Sequence, residues 1–224
     1  MDKAFPGLIF DLDGTLVDTA PDLLGATNAV LRSEGRREVD PATLRHMVGF
    51  GARSLIQQAM AATGTPVADA LLPELVDRFL IHYRAHIADF SVPFEGVEET
   101  LAALQAEGRH MAVLTNKPQE MADLLLAALG LDRFFPVIYG AGRMSYVKPD
   151  ARIFHDVLRD LDVARGIMIG DSVTDVATAR AAKAPVILVS YGYTPEPART
   201  LGGDAVTDSF REIPSLAREI MTRA

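Results

Sequence analysis

Cysteine is absent from all 224 residues, which removes disulfides, thiolate metal sites and cysteine nucleophiles together and is compatible with a reducing compartment. Positive charge is also scarce. Lys and Arg number 22 against 30 Asp and Glu, for a net charge of −8 and a pI near 5.1, with no basic stripe along the chain. A nucleic-acid backbone would be repelled, so the expected partner is a small molecule. No apolar run approaches the roughly 20 residues needed to span a bilayer. Residues 1–6 are short and charged and carry no targeting signal, so a cytoplasmic address without membrane contact is expected, as a monomer or homodimer. Internal repeats and low-complexity stretches are missing too. What remains is ordinary globular composition, 49% hydrophobic and 23% charged, in a chain long enough for one large domain or one domain carrying an insertion.

The stretch at residues 8–19 organises the rest. Leu8, Ile9 and Phe10 form a short apolar run of the kind found in a strand buried on both faces, and Asp11 and Asp13 arrive directly after it. Extended backbone aims both carboxylates into one crevice, and Gly14 lets the chain turn sharply away. Two like charges so close call for a cation. A hard, oxygen-seeking ion such as Mg²⁺ fits, and it would draw a phosphate to the same spot.

Beyond this motif, residues 17–90 read as wholly helical with no strand signal. Leu23, Thr27, Val30 and Leu31 recur at helical spacing after Pro21, Asp40 and Pro41 restart a helix, and Leu55, Ile56, Ala59 and Met60 define another stripe. Leu72, Leu75, Val76, Phe79, Leu80 and Tyr83 complete a fourth. From Ser91 the character changes. Strands are expected at residues 111–114, 137–139, 167–169, 186–189 and 205–206, alternating with helices at 96–107, 118–129, 150–161, 173–182 and 209–221. The alternation predicts an α/β fold: a doubly wound, Rossmann-like parallel sheet core of residues 1–17 and 92–224, interrupted by an all-helical cap domain of residues 18–91. Ligands of such sheets bind beyond the carboxyl ends of the strands.

Three groups of polar residues stand there. Thr115 and Asn116, followed by Lys117, offer a hydroxyl and an amide for phosphate oxygens ahead of a helix. Lys148 precedes Pro149, which is expected to preset a helix entry where anions are favoured. Asp171 would meet the metal at the end of its strand, while Asp175, one helical turn on, is suited to holding a metal-bound water. His46, His82 and His86 read as surface or core residues, and Arg143 as surface.

Taken together, Asp-Leu-Asp-Gly-Thr-Leu-Val-Asp-Thr from Asp11, Thr115, Lys148-Pro149 and Gly-Asp-Ser-Val-Thr-Asp from Gly170 resemble the four ordered signatures of the haloacid dehalogenase superfamily. The resemblance spans essentially the whole chain. It implies a Mg²⁺-dependent phosphatase in which Asp11 is the nucleophile, Asp13 the general acid and base, Gly14, Thr115 and Asn116 phosphate ligands, and Lys148 the neutralising cation. The metal would be held by Asp11, Asp171 and the backbone carbonyl of Asp13. Dehalogenating members are not expected to carry the second aspartate. The loop Val48-Gly-Phe-Gly-Ala-Arg-Ser-Leu55 and the stretch Tyr191-Gly-Tyr193 are similar to the phosphoglycolate phosphatase group, which implies substrate contact by Gly49, Gly51 and Arg53, Arg53 pairing with a substrate carboxylate. Thr174, Ala151 and Ala184-Pro185 depart from that group's pattern without removing a catalytic group. A phosphomutase of the β-phosphoglucomutase type, a pyrophosphatase or sugar phosphatase, and a phosphoaspartate signalling domain are the alternatives that the same residues leave open.

Overall fold

A computed structural model describes residues 5–223, so most of residues 1–6, read above as lacking a targeting signal, lie outside the described residues. The chain starts with β1 (Gly7–Phe10), makes a two-residue strand β2 (Val17–Asp18), and then runs through helices α1 (Ala20–Ser33), α2 (Pro41–Arg45), α3 (Ala52–Thr63) and α4 (Leu72–Ala85). It returns at β3 (Val92–Pro93) and alternates thereafter: α5 (Val97–Ala106), β4 (Met111–Pro118), α6 (Gln119–Ala128), β5 (Val137–Ala141), α7 (Ala151–Asp160), β6 (Gly166–Gly170), α8 (Val173–Ala181), β7 (Val186–Val189), β8 (Ala205–Thr207) and α9 (Ile213–Arg223).

Six strands form one parallel sheet in the order β5-β4-β1-β6-β7-β8. The chain therefore builds outward from β1 on one side, then crosses back to build outward on the other. β1 lies at that reversal, where a crevice opens beyond the strand ends. Its side chains alternate faces as strand geometry requires. Leu8 and Phe10 join Val113, Ile169 and Ile187 against α5, α6 and α9, while Ile9 joins Leu114, Met168 and Leu188 against α7. Leu8, Ile9 and Phe10 are all fully buried, each contributing about 1.5–3 kcal/mol relative to exposure.

Helices α1 to α4 share a third apolar cluster of their own, to which the sheet side contributes Met121 and Tyr193. Two segments join this helical body to the sheet, and here the structure departs from the expectation of wholly helical chain. Val17 pairs with Pro93 and Asp18 with Val92 in an antiparallel ribbon. Two residues are too few for any alternation of polarity to register in sequence. The carboxylate of Asp22 fastens the same junction, accepting from the Ser91 N–H at 2.7 Å and the Ser91 hydroxyl at 2.6 Å.

Other boundaries also differ. β4 continues past Leu114 to Pro118 through a register shift, so the Thr115 to Lys117 segment is irregular strand rather than loop. α7 begins at Ala151 with Asp150 as its cap, the Asp150 carboxylate accepting from the Arg152 N–H at 2.9 Å. Pro149 thus precedes the cap rather than opening the helix. The closing helix divides into a tight turn at Phe210–Glu212 and α9. No described helix is long and apolar enough to cross a membrane.

Candidate active site

Four segments converge beyond the carboxyl edge of the sheet. Asp11 directly follows β1, Asp171 follows β6, Asp175 lies in the first turn of α8, and Lys148 precedes α7; all four are buried. Carboxylate oxygens of Asp11, Asp171 and Asp175 lie within 4.8 Å of one another. The Lys148 ammonium stands 3.0 Å from Asp11 Oδ1 and 2.7 Å from Asp175 Oδ1. The other oxygen of Asp175 accepts from the backbone N–H of Asp171 and Ser172 and from the Ser172 hydroxyl, which ties the start of α8 to the cluster. Asp171 accepts from Thr15 Oγ1 at 3.1 Å and from the Tyr193 N–H at 2.7 Å.

Electrostatically the cluster is incomplete. Burial pushes the Asp11 carboxyl above its ordinary range even though Lys148 pulls the other way, and burial with the nearby Asp175 and Asp11 charges pushes Asp171 up as well. Burial opposes the charge on Lys148, but Asp11 and Asp175 more than offset it and hold that group firmly protonated. Three carboxylates against one ammonium leave two formal negative charges when all are ionised. A hard divalent cation matches both that charge and the all-oxygen donor set. The room is kept by glycine: a Cβ at Gly14 would stand 2.6 Å from Asp171 Oδ2, and one at Gly192 2.3 Å from the same atom.

Asp13 sits beside this cluster rather than in it. Its Oδ1 accepts from Lys117 Nζ at 2.9 Å, and Lys117 also donates to the Tyr83 hydroxyl at 2.7 Å. Burial opposes the Lys117 charge, yet Asp13 and Tyr83 outweigh it and push its pKa to about 12. Thr115 is buried, its hydroxyl oxygen accepting from the Lys117 N–H. The Asn116 amide donates at 3.2 Å both to the Gly49 carbonyl and to the Lys148 carbonyl, and its own carbonyl oxygen is buried without a partner. Gly49 and Gly51 have φ of +100° and +84°, which lets the chain between α2 and α3 fold down onto Asn116. A cavity of about 40 Å³ is lined by Asp11, Asp13, Thr115, Asn116 and Lys117 from the sheet side and by Gly49, Gly51, Leu55, Phe79 and Tyr83 from the helical body.

Arg53 is not brought there. Its side chain is exposed and lies 3.6 Å from Asp69, because α3 turns Leu55, Ile56, Ala59 and Met60 inward and leaves position 53 at the flank of that face. The rings of His82 and His86 lie 4.7 Å apart on α4 and at its end, and His86 pairs with Asp89 at 2.7 Å rather than with the site carboxylates. Lys117, Tyr83, Thr15 and Tyr193 are the site neighbours that sequence reasoning left without a role. Tyr83 falls in an apolar stripe, where nothing distinguishes a hydroxyl that packs from one that reaches a charge. Tyr193 joins the site to the ribbon: its hydroxyl donates to Asp18 and accepts from the N–H of Thr19 and Ala20.

The model of one family, haloacid dehalogenase-like hydrolase, matches residues 8–189. A phosphoglycolate phosphatase of Caulobacter vibrioides is 45% identical over 96% of this chain and 92% of its own. One of Agrobacterium fabrum is 41% identical over 97% and 95%. Among solved structures, a predicted phosphoglycolate phosphatase of Haemophilus somnus superposes with a TM-score of 0.90 at 28% identity, covering 95% of this chain and 98% of that one.

Proposed function

Given that this chain belongs to the haloacid dehalogenase-like hydrolases, we propose that it is a Mg²⁺-dependent phosphatase that cleaves a small phosphate monoester, 2-phosphoglycolate or a close relative, through an aspartyl-phosphate on Asp11. The observation that carries the reading is the Asp11 carboxylate held against Lys148 beside Asp171 and Asp175 at the point where the strand order reverses. Asp11, Asp171 and the Asp13 carbonyl would hold the ion, which when bound neutralises the carboxylates and the phosphate so that one anion can approach another. Asp11 attacks phosphorus and the ester oxygen departs. Asp13 gives that oxygen a proton, and afterwards takes one from the water that hydrolyses the aspartyl-phosphate. Lys148 stabilises negative charge on Asp11 and on the phosphoryl group, Thr115 and Asn116 orient that group, and Asp175 steadies Lys148 and the water of the ion.

Residues 18–91 act in this proposal as the cap and the remainder as the catalytic core. The names of the two relatives at 45% and 41% identity support phosphoglycolate. A cytosolic location completes the reading. The test is a panel of phosphate esters, 2-phosphoglycolate and sugar phosphates among them, compared by kcat/KM with Mg²⁺ and with product analysis to separate hydrolysis from transfer. Asp11→Asn is expected to abolish turnover with an unchanged melting curve. Near-normal kcat in that variant would remove the proposed nucleophile.

A further inference from the structure

Lys117 has no part in the chemistry just described, yet its side chain is only 2% exposed and carries a charge. Its ammonium lies between Asp13 Oδ1 at 2.9 Å and the Tyr83 hydroxyl at 2.7 Å. The three residues come from three places: the turn after β1, the irregular end of β4, and α4 of the helical body. Among the described residues, Lys117 is the only hydrogen-bond partner of the Asp13 side chain. A lysine ammonium rides on a flexible four-carbon stem and has three donors without a fixed fork, so a single acceptor leaves its direction free. The Tyr83 oxygen supplies a second acceptor on a different element, and two anchors define where the ammonium sits.

We infer that Lys117 and Tyr83 are a positioning pair for Asp13, aiming its carboxylate at the departing ester oxygen, with Tyr83 making that aim depend on the helical body lying over the sheet. The inference rests on Asp13 serving as acid and base. It excludes two other uses of the same lysine: a buried ion pair of purely structural value, and a receptor for a substrate's own carboxylate. With the helical body displaced, Lys117 keeps one anchor and Asp13 loses its direction. Proton transfer is then restricted to the arrangement with the helical body over the sheet, in which Tyr83 and Asp13 line one cavity.

The experiment uses leaving-group dependence, which a structural role does not move. An alkyl ester such as 2-phosphoglycolate needs a proton on its departing oxygen, whereas p-nitrophenyl phosphate expels a stable anion without one. With Mg²⁺ present, Lys117→Met is expected to lower the single-turnover rate of leaving-group release at saturating ester by about 10²-fold for the alkyl ester, the scale of general acid catalysis, and by less than about threefold for p-nitrophenyl phosphate. Tyr83→Phe, which keeps the ring stacked on Phe79 at 5.7 Å, is expected to show the same selectivity at roughly five- to tenfold, and it carries the test if Lys117→Met does not fold. Asp13→Asn measured in parallel sets the reference pattern. If Asp13→Asn shows no alkyl-selective loss in that step, the acid assignment fails and this inference fails with it. If Asp13→Asn shows that loss while the Lys117 and Tyr83 variants slow both esters equally, or raise KM for the carboxylate-bearing ester alone, the positioning pair is overturned and the proposed function stands.

Discussion

Gly14 illustrates how little space separates catalysis from collapse. Its φ of +83° is a conformation that L side chains rarely adopt, and the carboxylate of Asp171 occupies the place a Cβ would take. Gly14→Ala is expected to cost about 1–3 kcal/mol in backbone strain and to push Asp171 away from Asp11. Urea unfolding should show the first effect, and Mg²⁺ titration by calorimetry the second, as weaker binding. An alanine variant with native stability and native Mg²⁺ affinity would mean that the turn relaxes at no cost. The resemblance implies a phosphate contact at Gly14, and the structure shows this position in close approach to the Asp171 carboxylate.

Among the elements, the junction between the helical body and the sheet is the most economical. Two paired residues on each side, β2 and β3, form the crossing between α1 to α4 and the sheet, and one buried carboxylate, Asp22, fastens it. Removing that carboxylate leaves the Ser91 N–H and hydroxyl short of an acceptor in a buried place. Asp22→Ala is therefore expected to destabilise the junction by about 1–3 kcal/mol. Hydrogen exchange should report it unevenly, with faster exchange in the amides of α1 to α4 and unchanged exchange in β1 and β6. Uniform acceleration across the molecule would contradict a local fastening.

Across the molecule, stability is tied to the charge of the site. Asp11 and Asp171 titrate above the ordinary 3.8 because of burial, with Asp175 adding to it. Above that ordinary value the folded chain therefore holds more protons than the unfolded one, and stability falls as pH rises through the raised range. The favourable contribution is complete below the unfolded value and lost above the folded one. Metal-free protein is accordingly expected to melt lower at about pH 8 than at about pH 5, Mg²⁺ to raise the melting temperature more at the higher pH, and Asp171→Asn to flatten the dependence. Thermal denaturation with EDTA or Mg²⁺ at the two pH values checks this; an Asp171→Asn profile parallel to the native one would place the linkage elsewhere. Ca²⁺ is expected to support little turnover in the same samples, since its larger and looser coordination misplaces carboxylates that suit Mg²⁺.

Sequence alone was enough for the alternation of sheet strands and crossover helices, because β1, β6 and β7 are buried apolar runs and most of the intervening helices carry an apolar stripe. It was also enough to single out Asp11, Asp13, Thr115 and Asp171, because polar residues at the ends of buried strands have no reason in packing to be there, and the resemblance added Lys148 and Asp175. Tertiary structure decided what lies between distant segments. That Lys148 bridges Asp11 and Asp175, that Lys117 reaches Asp13 and Tyr83, and that Arg53 faces outward all depend on which helix face meets which strand end. Periodicity reports whether a side chain is on an apolar face, but a buried lysine or tyrosine acquires its partner only when separate parts of the chain are brought within hydrogen-bond distance.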